Sequence, residues 1–328
     1  MDTRRLEAVV KVVDLGSVSR AAKLLNIAQP ALSQQIASLE LDFKRKLLDR
    51  SARGVRPTEA GHILYRYAKS IQRQIDEARR TILDNQSELT GNVTIGLAPL
   101  SSATLLATPL LKQVRERFPS IVLHIYDSFG IVLSELMLKG SMDMAVLYGD
   151  RPVTGLDYKP LMREHFFLVA PHSMCSEQPQ SESVSAAEVA QFDLILPYRE
   201  SFLRQTVERV CAEVGVRPRI VAEIHSQSTL SSAIAAGMGA TVLPESIAKV
   251  LPNAAELCIR QIDAPAASLQ MSLGISDNAA LSDAAFAVYK ILLEIIAKTW
   301  GSPAEPLSQM PSLPGSQTAP MSGDESDP

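Results

Sequence analysis

The chain has 328 residues, 46% of them hydrophobic and 21% charged, with a formal net charge of −4. Such a length and balance imply two or three folded domains with a large buried core. Cys175, Cys211 and Cys258 are odd in number and far apart in the chain. They form no Cys-x-x-Cys pair, which argues against a disulfide framework or a structural zinc site and favours a reducing compartment. The start, MDTRRLEAVV, lacks the apolar core of a signal peptide, and no run approaches the roughly 20 apolar residues of a membrane helix. The expected location is the cytoplasm. The net charge hides an asymmetry: residues 1–90 hold 16 Lys and Arg against 11 Asp and Glu, a balance of +5, and the remainder holds 16 against 25, or −9. A basic head on an acidic body suits a nucleic-acid contact confined to one end.

In the head, Leu6, Val9, Val10 and Val13 recur at helical spacing, and Gly16 ends that first helix. Ser17 is placed to cap a second helix, Val18 to about Leu25, followed by Asn26 as a left-handed turn residue and Ile27 plugging the corner. A third helix begins near Gln29-Pro30, with Leu32, Ile36 and Leu39 as its buried stripe. That leaves Gln29, Ser33 and Gln34 near an exposed helix start, the end that helix-turn-helix readers place against base edges. Gln pairs bidentately with adenine, and Ser both donates and accepts. The run Leu47 to Thr58 then reads as two short extended pieces around Arg53-Gly54, with Arg50, Arg53 and Arg56 along it. A hairpin of this kind beside a reading helix is a wing that touches phosphates.

Thr58 is placed to cap a helix over residues 59–89. Leu64, Ala68, Ile71, Ile75, Ala78, Ile82, Asn85 and Leu89 recur at alternating steps of four and three. This heptad stripe suits pairing with a second helix better than a single helix lying on its own domain.

From residue 90 to 300 strand and helix patterns alternate, as in a parallel α/β sheet. Strands are expected at Val93–Pro99, Ile121–Asp127, Met142–Tyr148, Phe166–Ala170, Leu194–Pro197, Arg219–His225, Thr241–Leu243 and Leu269–Ile275. Two halves of this kind need two crossings, near Arg163–Phe167 and Pro265–Met271. Ligands in open α/β sheets sit beyond the carboxyl ends of strands. The cleft candidates are therefore Ser101, Ser102 and Ser128 in one lobe and Pro197, Phe202 and Ser226 in the other. Residues 301–328 are rich in Pro, Ser and acidic residues, the composition of a disordered tail.

Two stretches carry a family resemblance: A-A-K-L-L-N-I-A-Q-P-A-L-S-Q-Q-I-A-S-L-E and L-L-D-R-S-A-R-G-V-R-P-T-E-A-G. They resemble the signature of the LysR-type transcriptional regulators over about residues 1–300. The finer likeness is to the nitrogen assimilation control branch, through I-A-Q-P-A-L-S-Q-Q, I-G-L-A-P, D-M-A-V-L-Y-G and A-A-G-M-G-A-T-V-L-P-E-S. The implied fold class is α + α/β. A winged helix-turn-helix spans 1–58, a long dimerisation helix 59–89, and a two-lobed effector domain, built like a periplasmic binding protein, 90–300. The resemblance implies that Gln29, Pro30, Ser33 and Gln34 face bases, and that Arg50, Arg53 and Thr58 face phosphates or the minor groove. Many relatives carry Arg at the position of Gln34, so a guanine preference does not transfer. Relatives that bind small acids have Ser or Thr where Leu100 stands, which weakens an anionic co-inducer. The branch implies control of nitrogen-source genes without a required small effector.

The expected partners are double-stranded DNA and further copies of the chain, as a homodimer or homotetramer, with RNA polymerase and a small effector as additional candidates and no membrane. No cofactor or metal is expected. His62, His124, His165, His172 and His225 are isolated, and Gly237-Met-Gly239-Ala240 follows a helix rather than a strand, so an enzyme is not expected. Two alternatives are a regulator of small-molecule catabolism answering to a cleft-bound co-inducer, and a solute-binding or enzymatic α/β protein with a basic appendage.

Overall fold

The computed structural model describes residues 2–51, 54–83, 89–149, 153–175, 181–252, 254–277 and 281–301. Arg53, Asn85 and the tail from 302 onwards lie outside the described residues, as does the side chain of Ile82.

The head begins with α1 (Thr3–Leu15), capped by the Asp2 carboxylate and closed by Gly16 at φ 61°. Next come α2 (Val18–Leu24), capped by Ser17, and α3 (Gln29–Phe43), with Pro30 in its first turn. Asn26 adopts φ 54° between them, the left-handed corner expected of it. Leu6, Val9, Val10, Leu32, Ile36 and Leu39 form one buried cluster, with Val13 and Ile27 packed on its edge. The wing is the antiparallel pair β1 (Leu48–Ser51) and β2 (Gly54–Pro57). Three hydrogen bonds hold it: Val55 N–H donates to the Gly16 carbonyl at 3.0 Å, and Glu40 Oε1 accepts the N–H groups of Leu47 and Leu48 at 2.9 and 3.2 Å.

The long helix α4 (Glu59–Leu83) grows out of this core. The Thr58 hydroxyl caps it, accepting from Gly61 N–H at 3.1 Å and donating to the Lys46 carbonyl at 2.6 Å. The Tyr65 hydroxyl donates to Asp14 at 2.5 Å and Lys69 pairs with the same carboxylate at 3.0 Å, which ties α4 to α1. Burial first, and then the Asp14 carboxylate, hold the Tyr65 hydroxyl far above its ordinary pKa. Leu64 and Ala68 are buried in the head core of their own chain. They are therefore unavailable to a partner helix, and the expectation of one continuous seam is corrected. Half-buried Ile71 packs on the edge of that core, Ile75 is half-buried, and Ala78 is exposed.

The body opens with β3 (Gly91–Leu97), a 3-10 turn at Ser102–Leu106, α5 (Ala107–Arg117), β4 (Ile121–Asp127), α6 (Gly130–Leu138) and β5 (Met144–Tyr148). A 16-residue strand, β6 (Leu156–Pro171), then leaves this lobe for the other. There follow β7 (Ser183–Val184), α7 (Ala186–Val189), β8 (Asp193–Leu196), α8 (Phe202–Glu213), β9 (Arg219–Glu223) and α9 (Gln227–Ala235). β10 (Thr241–Pro244), α10 (Glu245–Ala248) and β11 (Leu257–Ile262) complete the second lobe. The chain returns along β12 (Ser268–Ser276) and ends in α11 (Asp283–Trp300), which packs on the first lobe against α5 and β3. The strand order is β4-β3-β5-β12-β6-β11-β7, with β10 also on β6 and with β8 and β9 paired to each other.

Three details depart from the pattern read in the sequence. The sheet is mixed, because β12 runs antiparallel to both β5 and β6. The strand expected at Phe166–Ala170 starts ten residues earlier, since Leu156–Glu164 pairs with β12 despite Pro160, Lys159 and Glu164. β11 has no counterpart among the expected strands; its half-buried Arg260 interrupts the apolar run. No described helix is long and apolar enough to cross a membrane.

Gly61 sits where α4 passes the start of the wing, and a Cβ there would lie 1.9 Å from the Leu47 carbonyl oxygen. That obstacle is backbone. We expect Gly61→Ala to destabilise the head by about 1–3 kcal/mol, the range for overpacking a tight contact, read as a lowered melting temperature.

Candidate DNA interface and interlobe cleft

At the start of α3, Gln29, Pro30 and Gln34 are exposed and Ser33 is half-buried. Leu32, Ile36 and Leu39, on the opposite side of the helix, are fully buried, so packing alone fixes which face is presented. The Ser19 hydroxyl on α2 donates to Gln29 Oε1 at 3.1 Å, a contact between the two helices that no local sequence pattern marks. In the wing Arg50 and Arg56 are exposed and sit opposite Val55 and Asp49 respectively. Thr58 differs from the other candidates. Its proton is already committed to the Lys46 carbonyl and its oxygen to Gly61, so its position is explained by capping. Among the described side chains of α4, Ile63 and Tyr67 are the large exposed apolar ones, at 45% and 48% exposure. They fall outside the heptad register because the stripe turns toward the head core over these first turns.

The cleft candidates separate into three groups. Ser101 and Ser102 are buried and engaged. Ser101 Oγ donates to the Ala98 carbonyl at 2.7 Å and accepts from Ala103 N–H at 3.2 Å. Ser102 N–H donates to Glu164 at 3.0 Å, while its hydroxyl bonds that of Ser246 on α10. Neither serine is among the described residues lining the two interlobe cavities, and the expectation that they line the cleft is corrected: a serine at a strand end satisfies the following turn first. Ser128 and Ser226 line a polar cavity of about 420 Å³ together with Asp127, Thr104 and His225. Burial pushes the Asp127 carboxyl up. Pro197 and Phe202 line a larger chamber of about 530 Å³, walled by Leu100, Leu138, Leu147 and Tyr158 among others. Phe129 meets Tyr198 at 4.1 Å and His225 at 5.5 Å between ring centres, an edge-to-face contact bridging the lobes between the two spaces.

The buried Glu164 is the polar centre of the crossing. Its carboxylate, 2% exposed, accepts from Ser102 N–H and from the Tyr148 hydroxyl. Through Ser102 and Ser246 this network joins the first lobe to β6 and to α10 of the second. Burial raises the Glu164 pKa, and the hydrogen bonds from Ser102 and Tyr148 only partly oppose that. Elsewhere the fold brings together two thiols far apart in sequence, Cys175 and Cys258. Burial, and then this neighbour, push Cys258 up to about 12.

Since the folded state holds the Glu164 proton more tightly than the ordinary value of 4.5, its contribution to stability is complete below the carboxylate range. It is lost as pH rises through the raised value. Gln carries no charge and keeps both contacts by accepting from Ser102 N–H and donating its amide N–H to the Tyr148 oxygen. Melting curves from about pH 5 to about pH 8 are expected to fall less steeply for Glu164→Gln than for the parent chain.

Residues 3–62 match the profile described as "Bacterial regulatory helix-turn-helix protein, lysR family", and residues 86–296 match "LysR substrate binding domain". The chain is 43% identical over 298 residues to the "Nitrogen assimilation regulatory protein nac" of Klebsiella aerogenes, covering 91% of this chain and 96% of that protein. It is 40% identical over 297 residues to the protein of the same name in Escherichia coli K12, covering 90% and 96%. In structure it is similar to a full-length OxyR variant from Pseudomonas aeruginosa, with a TM-score of 0.69 at 20% identity, covering 94% of this chain and 99% of that one. The two profiles lie on the head and on the two-lobed body described above, and the chain belongs to the lysR family of bacterial regulatory helix-turn-helix proteins.

Proposed function

We propose that this chain is a sequence-specific, DNA-binding transcriptional regulator of nitrogen-assimilation genes, acting in the cytoplasm as a dimer or tetramer. One observation carries the DNA reading: Gln29, Ser33 and Gln34 lie at the open start of α3, beside a wing bearing exposed Arg50 and Arg56. Polar side chains at the start of such a helix read base edges, and the arginines hold the duplex in register. Gln34, without a cationic fork, favours adenine over guanine at its position. The nitrogen reading is supported by the likeness to the two nac proteins over nine-tenths of the chain. RNA polymerase is the downstream partner of such a regulator.

Pairing of two heads uses the part of α4 beyond the head core. Within α4, Ile75 and Ala78 are the members of the heptad stripe with described side chains left free of that core, Leu89 packs on the body core, and Ile63 and Tyr67 extend the apolar surface beside them. A second reading, regulation by a co-inducer held in the cleft, is favoured by the two interlobe cavities.

In gel shifts with the chain's own upstream DNA, Ser33→Ala and Gln34→Ala should each weaken specific binding by about 5–100-fold while leaving binding to random DNA unchanged. Arg50→Ala should weaken both alike and reduce the slope of log affinity against log salt by about one. Equal loss on both DNAs for Gln34→Ala would place the reading face elsewhere. On a sizing column with light scattering, Ile75→Glu combined with Ala78→Glu is expected to yield monomers of unchanged head stability. A dimer that survives this change would put the seam on another element.

A further inference from the structure

Gln29 opens α3 with no support from its own turn. Ala28 before it sits at the cap position without a side-chain hydrogen bond, and Pro30 after it has no N–H. A glutamine carboxamide accepts at one end and donates at the other, and it loses much rotamer freedom when a contact fixes it. Discrimination between base edges therefore needs something that holds it. The hydroxyl of Ser19, ten positions earlier on α2, donates to Gln29 Oε1 at 3.1 Å. We propose that Ser19 is a positioning residue for base readout. It holds the Gln29 carboxamide by its oxygen, so that the amide N–H2 is the end offered to an acceptor on a base edge in the major groove. This inference rests on the reading of the head as DNA-binding.

The chemistry of the hydroxyl separates this role from an ordinary contact with the DNA backbone. A phosphate oxygen only accepts, and a serine has one O–H to give. Ser19 gives its proton to Gln29 and so has none for a phosphate. Its neighbour Ser17 has a different task, accepting from Arg20 N–H at 3.4 Å to cap α2.

Both ends of the contact stand on stiff backbone. Ala21 and Ala22 bury one side of α2, and Leu32 and Ile36 bury one side of α3. Between the helices Leu25 N–H donates to the Ala21 carbonyl at 2.9 Å and Ile27 N–H to the Ala22 carbonyl at 3.1 Å, around Asn26 at φ 54°. Ser19 and Gln29 themselves are exposed, so their bond lies on the surface that a duplex at the start of α3 covers. In water such a bond contributes little. Under the duplex its loss leaves Gln29 Oε1 dry and unpartnered, which costs far more. The fold does not need it: alanine suits an exposed helical position at least as well as serine.

The test uses the full chain, a site that it enriches from random duplexes, and every single base-pair substitution of one half-site. At one pair or more, substitution should cost the parent about 10-fold in affinity and the Gln29→Ala chain nothing, which marks the pair that Gln29 reads. There Ser19→Ala should reduce the discrimination by about 3–10-fold, with the other pairs, binding to random DNA and the melting temperature unchanged. Ser19→Thr, which keeps the hydroxyl, should retain the parent profile. Gln29→Ala combined with Ser19→Ala should match Gln29→Ala alone. Gln29→Glu still accepts from Ser19 but has no N–H2, and it should lose the parent's preference at that pair. A further loss in the double variant, a loss on random DNA or a lowered melting temperature in Ser19→Ala would each overturn the inference. So would full discrimination by Ser19→Ala, the parent's preference kept by Gln29→Glu, or an unchanged profile in Gln29→Ala. Those results leave the regulator reading standing. Failure of the parent chain to enrich any sequence refutes that reading, and the role of Ser19 falls with it.

Discussion

The two lobes of the body are held by a pair of antiparallel strands, β6 and β12, that cross between them in register from Ser268 opposite His165 to Ser276 opposite Leu156. At the crossing sits a carboxylate with almost no access to water. A buried charge is costly unless its hydrogen bonds are made, and removing one partner exposes that cost in full. Glu164 satisfies the requirement only when the Ser102 turn of the first lobe and Tyr148 at the end of β5 are both in place, and Ser246 of the second lobe completes the network. The lobe arrangement and the protonation of one side chain are thus coupled. A change in the angle between lobes must either preserve these bonds or move a proton.

In the head the comparable constraint is the junction with α4. Thr58, Gly61 and Tyr65 fix the first turns of the helix to the wing, the Lys46 carbonyl and α1. Reading helix, wing and the start of the long helix therefore behave as one rigid piece. In the proposed dimer, a rotation imposed on the far part of α4 would be carried to the α3 surface and would set the separation of the two heads. The first members of the heptad stripe close the head core, and the proposed pairing uses the later ones.

Anything that favours one lobe arrangement acts on β6, β12 and the Glu164 network together, and its effect is bounded by its differential affinity for the two arrangements. Phe129, Tyr198 and His225 add an interlobe contact that any ligand on either side must accommodate.

Much of this was legible in the residues alone. Leu32, Ile36 and Leu39 at helical spacing oriented α3, Gly16 and Asn26 marked the turns after α1 and α2, and the alternation of strands and helices predicted a body of two halves with crossings close to those observed. Local rules succeed there because capping, periodicity and positive φ depend on near neighbours. Only the tertiary structure decided that Leu64 and Ala68 pack inward, that Ser101 and Ser102 are consumed by a turn and a buried carboxylate, and that the cleft is split by an aromatic contact. Those outcomes depend on which distant surfaces compete for the same side chain. A heptad stripe cannot tell its own domain from a partner, nor can a serine at a strand end tell a ligand from the Glu164 that lies 62 positions away.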